Sequence, residues 1–311
     1  MANALHKKGA ITIDVEDGVS IAMRDVFGQK TPQTDRVVRC THQILDLLAN
    51  HEVKGTFFTL GQVGNNFPEL VRRIVREGHE LGVHGDQHIE FPKMNPSTAK
   101  NELLRAKKQL EDIAGVQIEG HRAPAFSIFP RTAWGLDVVA SCGFSYDSSI
   151  LPSAISRYGW PGFPKDIVRI KTLNNREITE VPISTLSLGR IEFPFSGGSY
   201  FRLLPRSLVI AAFDRYNLYR PGILYIHPYE LDTKRYPDYY FAAMQSQPWF
   251  TRLKMKSMWW NRKSVHFKLS ELLQKQAFST MRNIIQEQPT LRKFHLIKSP
   301  TSAINLVEER A

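Results

Sequence analysis

Three carboxylates follow one short apolar run near the start of the chain. Asp14, Glu16 and Asp17 lie within four residues, directly after residues 10–13. Carboxylates this close repel one another unless a cation or a shared proton compensates their charge. The pattern therefore predicts a metal site or an acid–base site, with an exposed acidic turn as the alternative.

Two histidines at a spacing of four form a second polar segment. His84 and His88 enclose the sequence HGDQH. Two imidazoles at this spacing can reach one cation from the same side of a turn or helix. Together with a nearby carboxylate they would make a site that suits a divalent metal and leaves positions open for water and substrate. Two unrelated surface histidines are the alternative.

Arg122 and His227 complete the set of candidate residues. Arg122 stands before a turn fixed by Pro124, where it could pair with a carboxylate; a surface arginine is the alternative. His227 ends the apolar run of residues 223–226, a position suited to a general acid. A buried structural histidine is the alternative for His227.

The elements that would position these residues alternate between strands and helices. We predict strands over residues 10–15, 54–60, 79–84, 117–121, 144–147 and 223–227. We predict helices over residues 36–50, 68–77 and 131–141, one that begins at Ser97, and a helix pair within residues 264–286. Proline-rich residues 151–205 are predicted to be loops and short strands. Such alternation is typical of a parallel sheet or barrel, whose active site lies at the C-terminal strand ends.

Composition excludes several classes of protein. Of the 311 residues, 42% are hydrophobic and 23% are charged, which is ordinary for a globular chain and excludes disorder as the main state. There is no apolar run of about 18 residues that would predict a transmembrane helix. Only Cys40 and Cys142 are present, so a reducing compartment is expected. Acidic residues follow too early for a signal-peptide core, and we expect a cytoplasmic protein.

The charge of the chain is concentrated near its C-terminus. The net charge is +11, and residues 251–311 hold 12 basic and 4 acidic residues. This basic segment predicts contact with an anionic membrane surface, such as the inner membrane, or with an acidic glycan. A solvated basic helix face is the alternative. Nucleic acid is not an expected partner, because no nucleic-acid-binding motif accompanies the charge.

Seven segments in order resemble one known family. They are TIDVED (12–17), GTFFTLG (55–61), EGHELGVHGDQH (77–88), GHRAPAFSI (120–128), GFSYDSSILP (143–152), PFSGGSYFRLLP (194–205) and YIHPYELD (225–232). This set resembles the polysaccharide deacetylase family, also called the NodB-homology or carbohydrate esterase 4 family. It is most similar to the subgroup with DVED, GxRAP, GGxYFRLLP and HPxE, which is associated with exopolysaccharide biosynthesis. The resemblance covers roughly residues 8–290.

The resemblance implies a fold, an activity and a substrate class. The fold would be α/β, a distorted (β/α)7 barrel with loop insertions and a C-terminal helical extension. Residues 1–290 would form the deacetylase domain and residues 291–311 a basic tail. The activity would be removal of N-acetyl groups from an N-acetylated glycan or from a lipid-linked or nucleotide-linked sugar precursor. An allantoinase-like amide hydrolase and an inactive glycan-binding barrel are the alternatives.

The resemblance also implies roles for individual residues. Asp14 would be the catalytic base, oriented by Arg122, and His227 the general acid, oriented by Asp147. His84 and His88 would bind a divalent metal, most simply zinc, with cobalt, nickel or iron as alternatives. The carboxylate ligand would be Glu16 or Asp17, and that choice stays open. The residues expected to contact substrate are Pro124, Phe126, Trp160, Phe201 and Tyr229.

Overall fold

Strands form the centre of the molecule. The computed structural model describes residues 7–298 and 304–309. The strands in this part are β1 (Gly9–Val15), β2 (Thr56–Thr59), β3 (Glu80–Val83), β4 (Gly120–His121), β5 (Tyr146–Asp147), β6 (Val168–Lys171), β7 (Glu177–Glu180), β8 (Thr185–Leu188), β9 (Ile191–Pro194), β10 (Ile223–Ile226), β11 (Phe278–Ser279), β12 (Arg292–Lys298) and β13 (Ile304–Glu308).

Helices cover the sheet and connect its strands. They are α1 (Gly18–Asp25), α2 (Arg36–Asn50), α3 (Gly61–Asn66), α4 (Pro68–Arg76), α5 (Pro96–Ala114), α6 (Trp134–Ser141), α7 (Gly198–Leu203), α8 (Arg206–Asn217), α9 (Asp238–Gln245), α10 (Trp249–Ser257), α11 (Arg262–Lys275) and α12 (Met281–Gln286). The helix pair predicted within residues 264–286 corresponds to α11 and α12. Helix α1 was not predicted, although Asp17 before it is a good N-cap residue.

Seven parallel strands make up the main sheet, in the order β10-β1-β2-β3-β4-β5-β7. The predicted α/β class is confirmed. Within the described residues no ladder joins β7 to β10, so the seven strands form an open, distorted barrel. β6 continues the sheet antiparallel to β7, β11 pairs with β1, and β8 and β9 form a separate hairpin.

Strand β1 carries the first site residues because its side chains alternate between two faces. Ile11, Ile13 and Val15 are buried in the core that lies under helices α2 and α4. Thr12 and Asp14 point to the opposite face, where one arginine contacts both of them. This period of two is a property of the extended backbone.

The expected basic tail is part of the sheet instead. Strand β12 pairs in parallel with β6, and β13 pairs antiparallel with β12. Phe294 and Leu296 of β12 are buried against the core that contains Val168 and Ile170. The prediction of a tail over residues 291–311 is therefore wrong where the structure describes the chain. Residues 299–303 and 310–311 of that segment lie outside the described residues.

Two expectations from composition concerned membrane-spanning helices and the two cysteines. Among the described residues, every helix is too short or too polar to cross a bilayer. Cys40 and Cys142 are both buried free thiols.

Candidate active site

The two acidic residues after β1 have different environments. Asp17 is the N-cap of α1, and its carboxylate accepts hydrogen bonds from the backbone N–H of Val19 at 3.2 Å and of Thr34 at 2.8 Å. The Thr34 hydroxyl donates a further bond to it at 3.0 Å. Glu16 instead points toward the two histidines. The structure thus brings Glu16, and not Asp17, to the histidine pair.

Glu16, His84 and His88 form a buried cluster. One atom of each lies within 4.8 Å of the others. The Nε2 atom of His88 is 2.9 Å from Glu16 Oε2, and the Nε2 atom of His84 is 3.6 Å from the same oxygen. Two imidazole nitrogens and a carboxylate oxygen therefore converge on one point.

Neighbouring groups fix the orientation of both imidazoles. His84 Nδ1 lies 2.9 Å from the backbone oxygen of Arg122, to which it can donate, so that its Nε2 is left as the ligand atom. His88 has a left-handed backbone with a φ of 58°, an uncommon conformation for a residue other than glycine. The Arg24 guanidinium donates to the carbonyl oxygens of Gln87 and His88 and holds this turn. Gly85, with a φ of 81°, begins the turn that separates the two histidines.

The cluster fits a divalent metal. Glu16 Oε2 is buried, and among the described residues the two nearby imidazole nitrogens do not have hydrogen-bond geometry toward it. Burial opposes ionisation of Glu16, but His88 and His84 more than offset that effect and hold its pKa well below its usual range. An ionised carboxylate with two imidazoles is a donor set that suits zinc, and cobalt, nickel or iron can use the same ligands.

Asp14 lies beside this cluster in a buried ion pair. Arg122 is fully buried and donates to Asp14 Oδ1 at 2.8 Å and to the Thr12 hydroxyl at 2.7 Å. It also donates to the backbone and side-chain oxygens of Ser148 at 3.1 and 3.0 Å. The Phe58 ring stacks on its guanidinium at 4.3 Å. Arg122 is therefore rigid and holds one oxygen of Asp14, which leaves Oδ2 to face the site.

His227 lies opposite the metal cluster. Its Nε2 is 3.8 Å from Asp14 Oδ2 and 3.8 Å from Glu16 Oε1. Burial lowers its pKa, but Glu230, Glu16 and Asp14 more than offset this and raise it to about 9. A protonated imidazole beside carboxylates can donate a proton at neutral pH.

Tyr229 covers the imidazole of His227. The two rings stack with centroids 4.8 Å apart and an angle of 18° between them. A Cβ atom at Gly18 would lie 2.8 Å from the Tyr229 ring, so only glycine allows this close approach. Gly18 and Tyr229 together fix one wall of the site.

Glu230 is a site residue that the sequence analysis missed. Its Oε2 lies 3.5 Å from His227 Nδ1 and accepts a hydrogen bond from the His227 backbone N–H at 3.1 Å. Its Oε1 accepts a hydrogen bond from buried Arg202 at 3.2 Å. The spacing HPxE was a signal, since a residue three positions after a histidine in a tight turn can reach its ring.

Asp147 does not contact His227, contrary to the expectation. Its carboxylate lies 2.6 Å from His121 Nδ1 and accepts a bond from the Ser149 hydroxyl at 2.7 Å. Burial and the negative charge of Asp147 raise the pKa of Glu180 well above its usual value. β5 places Asp147 next to β4 and β7, whereas His227 follows β10 across the opening of the sheet. Glu230 occupies the position beside His227 that was expected for Asp147.

Two of the five expected substrate contacts are part of the core. Trp160 packs on Phe163 with ring centroids 5.2 Å apart, and only 6% of its surface is exposed. Phe201 is completely buried, with the Lys268 ammonium 5.5 Å from its ring centroid. Neither ring can present a face to a sugar, so both expectations are wrong.

The other three expected contacts lie at the site. Pro124 is buried beside Gly85. Phe126 is half-buried, 5.5 Å from the Arg122 guanidinium and edge-on to Tyr225. Half-buried Tyr229 stacks on His227, as described above. Phe126 and Tyr229 are therefore the two aromatic rings positioned near the candidate catalytic groups.

A polar cavity of about 120 Å³ opens beside His88. Residues with amide or cationic side chains make up half of its lining: Arg24, Lys30, Gln33, Gln62 and Gln87. Amide side chains offer both donors and acceptors, which suits the hydroxyl groups of a sugar.

Two family models together cover most of the chain. Residues 15–146 match the model described as Polysaccharide deacetylase, and residues 148–286 match the model described as Domain of unknown function (DUF3473). Residues 15–146 therefore form a polysaccharide deacetylase domain, as the motifs led us to expect. The first model covers Glu16, His84, His88 and Arg122, whereas His227 lies in the second.

Curated relatives match part of the chain. A peptidoglycan-N-acetylglucosamine deacetylase of Bacillus cereus is 30% identical over 168 residues, which cover 45% of this chain and 61% of the relative. A chitooligosaccharide deacetylase of Bradyrhizobium sp. is 33% identical over 102 residues, which cover 33% of this chain and 44% of the relative. The chain thus spans about half the length of these two relatives.

Solved structures share the fold over nearly the whole chain. A Mycobacterium smegmatis protein assigned as a polysaccharide deacetylase superposes with a TM-score of 0.54 and 20% identity, covering 94% of this chain and 97% of that one. Puue allantoinase superposes with a TM-score of 0.56 and 14% identity, covering 92% and 91% of the two chains. Both likenesses concern the fold alone.

Proposed function

We propose that this protein is a metal-dependent hydrolase that removes N-acetyl groups from an amino sugar of a bacterial polysaccharide or its precursor. The carrying observation is the buried Glu16–His84–His88 cluster with Asp14 and His227 beside it. His227 Nε2 lies 3.8 Å from both Asp14 and Glu16. A metal site flanked by a base and an acid supplies the groups needed to activate water and to protonate a leaving amine.

Asp14 is the base of the proposed reaction. Arg122 holds Asp14 Oδ1 at 2.8 Å, so that Oδ2 is free to accept the proton of the attacking water. Glu16, His84 and His88 would hold a divalent metal, which supplies Lewis acidity toward the water and the acetamide oxygen when bound. The guanidinium of Arg122 donates to Asp14 Oδ1 and so fixes the orientation of this carboxylate.

His227 is the acid of the proposed reaction. Its imidazolium donates a proton to the leaving amine as the C–N bond breaks. Glu230 lies 3.5 Å from the other ring nitrogen, where its charge stabilises the imidazolium and sets the direction of Nε2. Arg202 in turn holds Glu230 at 3.2 Å. His227, Glu230 and Arg202 all come from the second half of the chain.

The surroundings of the cluster support a sugar substrate. Phe126 and Tyr229 are half-buried aromatic rings beside the candidate catalytic groups, and the amide and cationic side chains of the cavity beside His88 offer partners for hydroxyl groups. We propose an N-acetylated glycan or a lipid-linked or nucleotide-linked sugar precursor as the substrate. The polysaccharide deacetylase domain and the deacetylase relatives support the acetamide as the bond that is cleaved.

Acetate release tests this proposal. The full chain, stripped of metal and reloaded with zinc, cobalt or nickel, is incubated with N-acetylglucosamine oligomers and with lipid-linked or nucleotide-linked N-acetylated sugars. We expect acetate from at least one substrate, lost with chelator and restored with metal. Opening of a cyclic ureide without acetate release would favour the allantoinase-like alternative. Glycan binding without any release would favour the inactive barrel.

Replacing Glu230 with glutamine tests its role as a positioning residue. Glu230→Gln keeps the size of the side chain but removes the charge beside His227. We expect kcat to fall by about 10- to 100-fold, the usual effect of losing an outer-shell partner. KM and bound metal should stay unchanged, because Glu230 is buried and lies outside the group of three ligand residues.

Asp147→Asn is the matched comparison for Glu230→Gln. Asp147 was the acid expected from the resemblance, but it contacts His121 instead. We expect a smaller fall in kcat than for Glu230→Gln. A larger fall in Asp147→Asn, with native stability, would contradict the assignment of Glu230.

A further inference from the structure

An exposed aromatic surface follows the last of the catalytic motifs in the chain. Trp249, Phe250 and Leu253 of α10, with Trp260 in the turn after it, have between 51% and 69% of their surface exposed. Trp249 and Leu253 are four residues apart and so lie on one face of the helix. We call these four residues the α10 patch. Large apolar side chains exposed together are typical of an interaction surface.

The α10 patch is surrounded by positive charge. Between Asp238 and Glu271 the sequence contains no acidic residue. Arg252, Lys254, Lys256 and Lys263 are exposed, and in the described part of the chain none of them lies within 4.0 Å of a carboxylate. These four cations therefore take no part in the ion pairs of the described residues.

Two other basic residues of this region have structural roles instead. Arg262 is buried, donates to the Tyr236 hydroxyl at 3.1 Å and lies 4.4 Å from the centroid of the Trp259 ring. Lys268 donates to three backbone oxygens at the C-terminal end of α7, at 2.6 to 3.0 Å. The exposed cations around the α10 patch are thus distinct from the buried basic residues, which pack inside the fold.

Helix α10 is attached to the rest of the molecule by its other face. Met255 is buried in a cluster with Met23 of α1 and Tyr240 of α9. α1 starts at Gly18, two residues after Glu16, and its Arg24 donates to the His88 carbonyl at 3.2 Å. Helix α10 therefore packs in the same hydrophobic cluster as α1, the helix whose Arg24 supports the His88 turn.

We propose that the α10 patch binds the interfacial region of an anionic lipid bilayer. Tryptophan prefers the boundary between headgroups and acyl chains, and lysine can bury its stem there while its ammonium contacts headgroups. An anionic surface attracts a cluster of unpaired cations. A second copy of the chain fits less well, because a two-fold contact would bring the same cations against each other.

Binding through the α10 patch would hold the site close to a membrane. Lipid attachment itself does not depend on the proposed function. A lipid-linked sugar would then be the substrate that a membrane-bound site meets, and this consequence rests on the proposed function. Vesicle binding measured without any sugar substrate therefore succeeds or fails independently of acetate release.

Co-sedimentation of the full chain with vesicles tests the proposal. We expect binding to phosphatidylglycerol-containing vesicles, weak binding to pure phosphatidylcholine vesicles, and a loss of binding at high salt, where charges are screened. Trp249→Ser/Phe250→Ser/Leu253→Ser should reduce the partition coefficient about tenfold or more, because binding scales with the apolar area that is buried. Brominated lipids should quench the tryptophan fluorescence of the native chain.

A second pair of exposed apolar residues provides the matched control. Leu188→Ser/Ile191→Ser changes the β8–β9 hairpin, where both residues are exposed. This variant should bind vesicles like the native chain, and both variants should keep the native circular dichroism spectrum. Lys254→Glu/Lys256→Glu should lose binding while keeping all aromatic residues. Equal vesicle binding by all variants, or no binding by the native chain, would overturn the proposal, as would tighter binding to an oligonucleotide that vesicles do not compete away.

Discussion

The variant Asp14→Asn should lower kcat by about 10²- to 10⁴-fold, the range expected when a general base is lost. Asparagine has the same shape but cannot take a proton from water. Arg122 can still donate to its oxygen, so the surrounding geometry is preserved. Acetate release by metal-loaded enzyme at saturating substrate measures the effect.

Metal content is the control for Asp14→Asn. In the structure Asp14 lies outside the group of three ligand atoms, so the variant should bind metal as the native chain does. Loss of the metal together with activity would contradict the assignment of Asp14 as the base and would make it a ligand.

The variant Arg122→Met should lower the free energy of unfolding by about 3–5 kcal/mol, the usual effect of breaking a buried ion pair. Arg122 and Asp14 are 0% and 2% exposed, so water cannot solvate the carboxylate that remains. The serine and threonine oxygens that Arg122 contacts would also lose their donor. Denaturant unfolding of the metal-free protein measures this effect without any contribution from ligand binding.

A double variant separates the ion pair from the loss of packing. Asp14→Asn/Arg122→Met removes both charges and should recover part of the stability lost in Arg122→Met alone. Arg72→Met removes a half-exposed arginine that pairs with Glu69, and it should cost about 0–1 kcal/mol. Equal losses in Arg72→Met and Arg122→Met would contradict the structural role assigned to Arg122.

The strand ends that carry the site were predictable from local patterns. Asp14, His84 and Arg122 each lie in or next to a short apolar or β-rich run, and parallel strands bring such ends together. The choice between Glu16 and Asp17 was also within reach of the sequence. The alternation of β1 places Thr12, Asp14 and position 16 on one face, and Asp17 in the position before a helix.

Other parts of the site depend on contacts between distant segments. The burial of Trp160 and Phe201 comes from neighbours far from them in the chain, such as Lys268. Composition cannot distinguish an aromatic ring in the core from one at the rim. The pairing of β12 with β6 likewise joins residues more than a hundred positions apart, so the sequence does not show which strand residues 291–298 pair with.

Glu230, and not Asp147, lies beside His227, which shows that a role assigned from a family motif can fall on a different residue. Asp147 lies at a strand end, as the resemblance required, yet its strand is on the far side of the sheet from His227. Glu230 is three residues from His227 and reaches its ring through a tight turn. Short-range geometry was the better guide at this position.

Metal content across four matched variants tests the central claim most directly. Purified native chain, reloaded with zinc and freed of excess, should contain about one metal ion per chain. His84→Ala, His88→Ala and Glu16→Gln should lose it, and Asp17→Asn should keep it, because Asp17 caps α1. A native chain that binds no zinc, cobalt or nickel, or a variant set in which Asp17→Asn loses the metal and Glu16→Gln keeps it, would contradict the account.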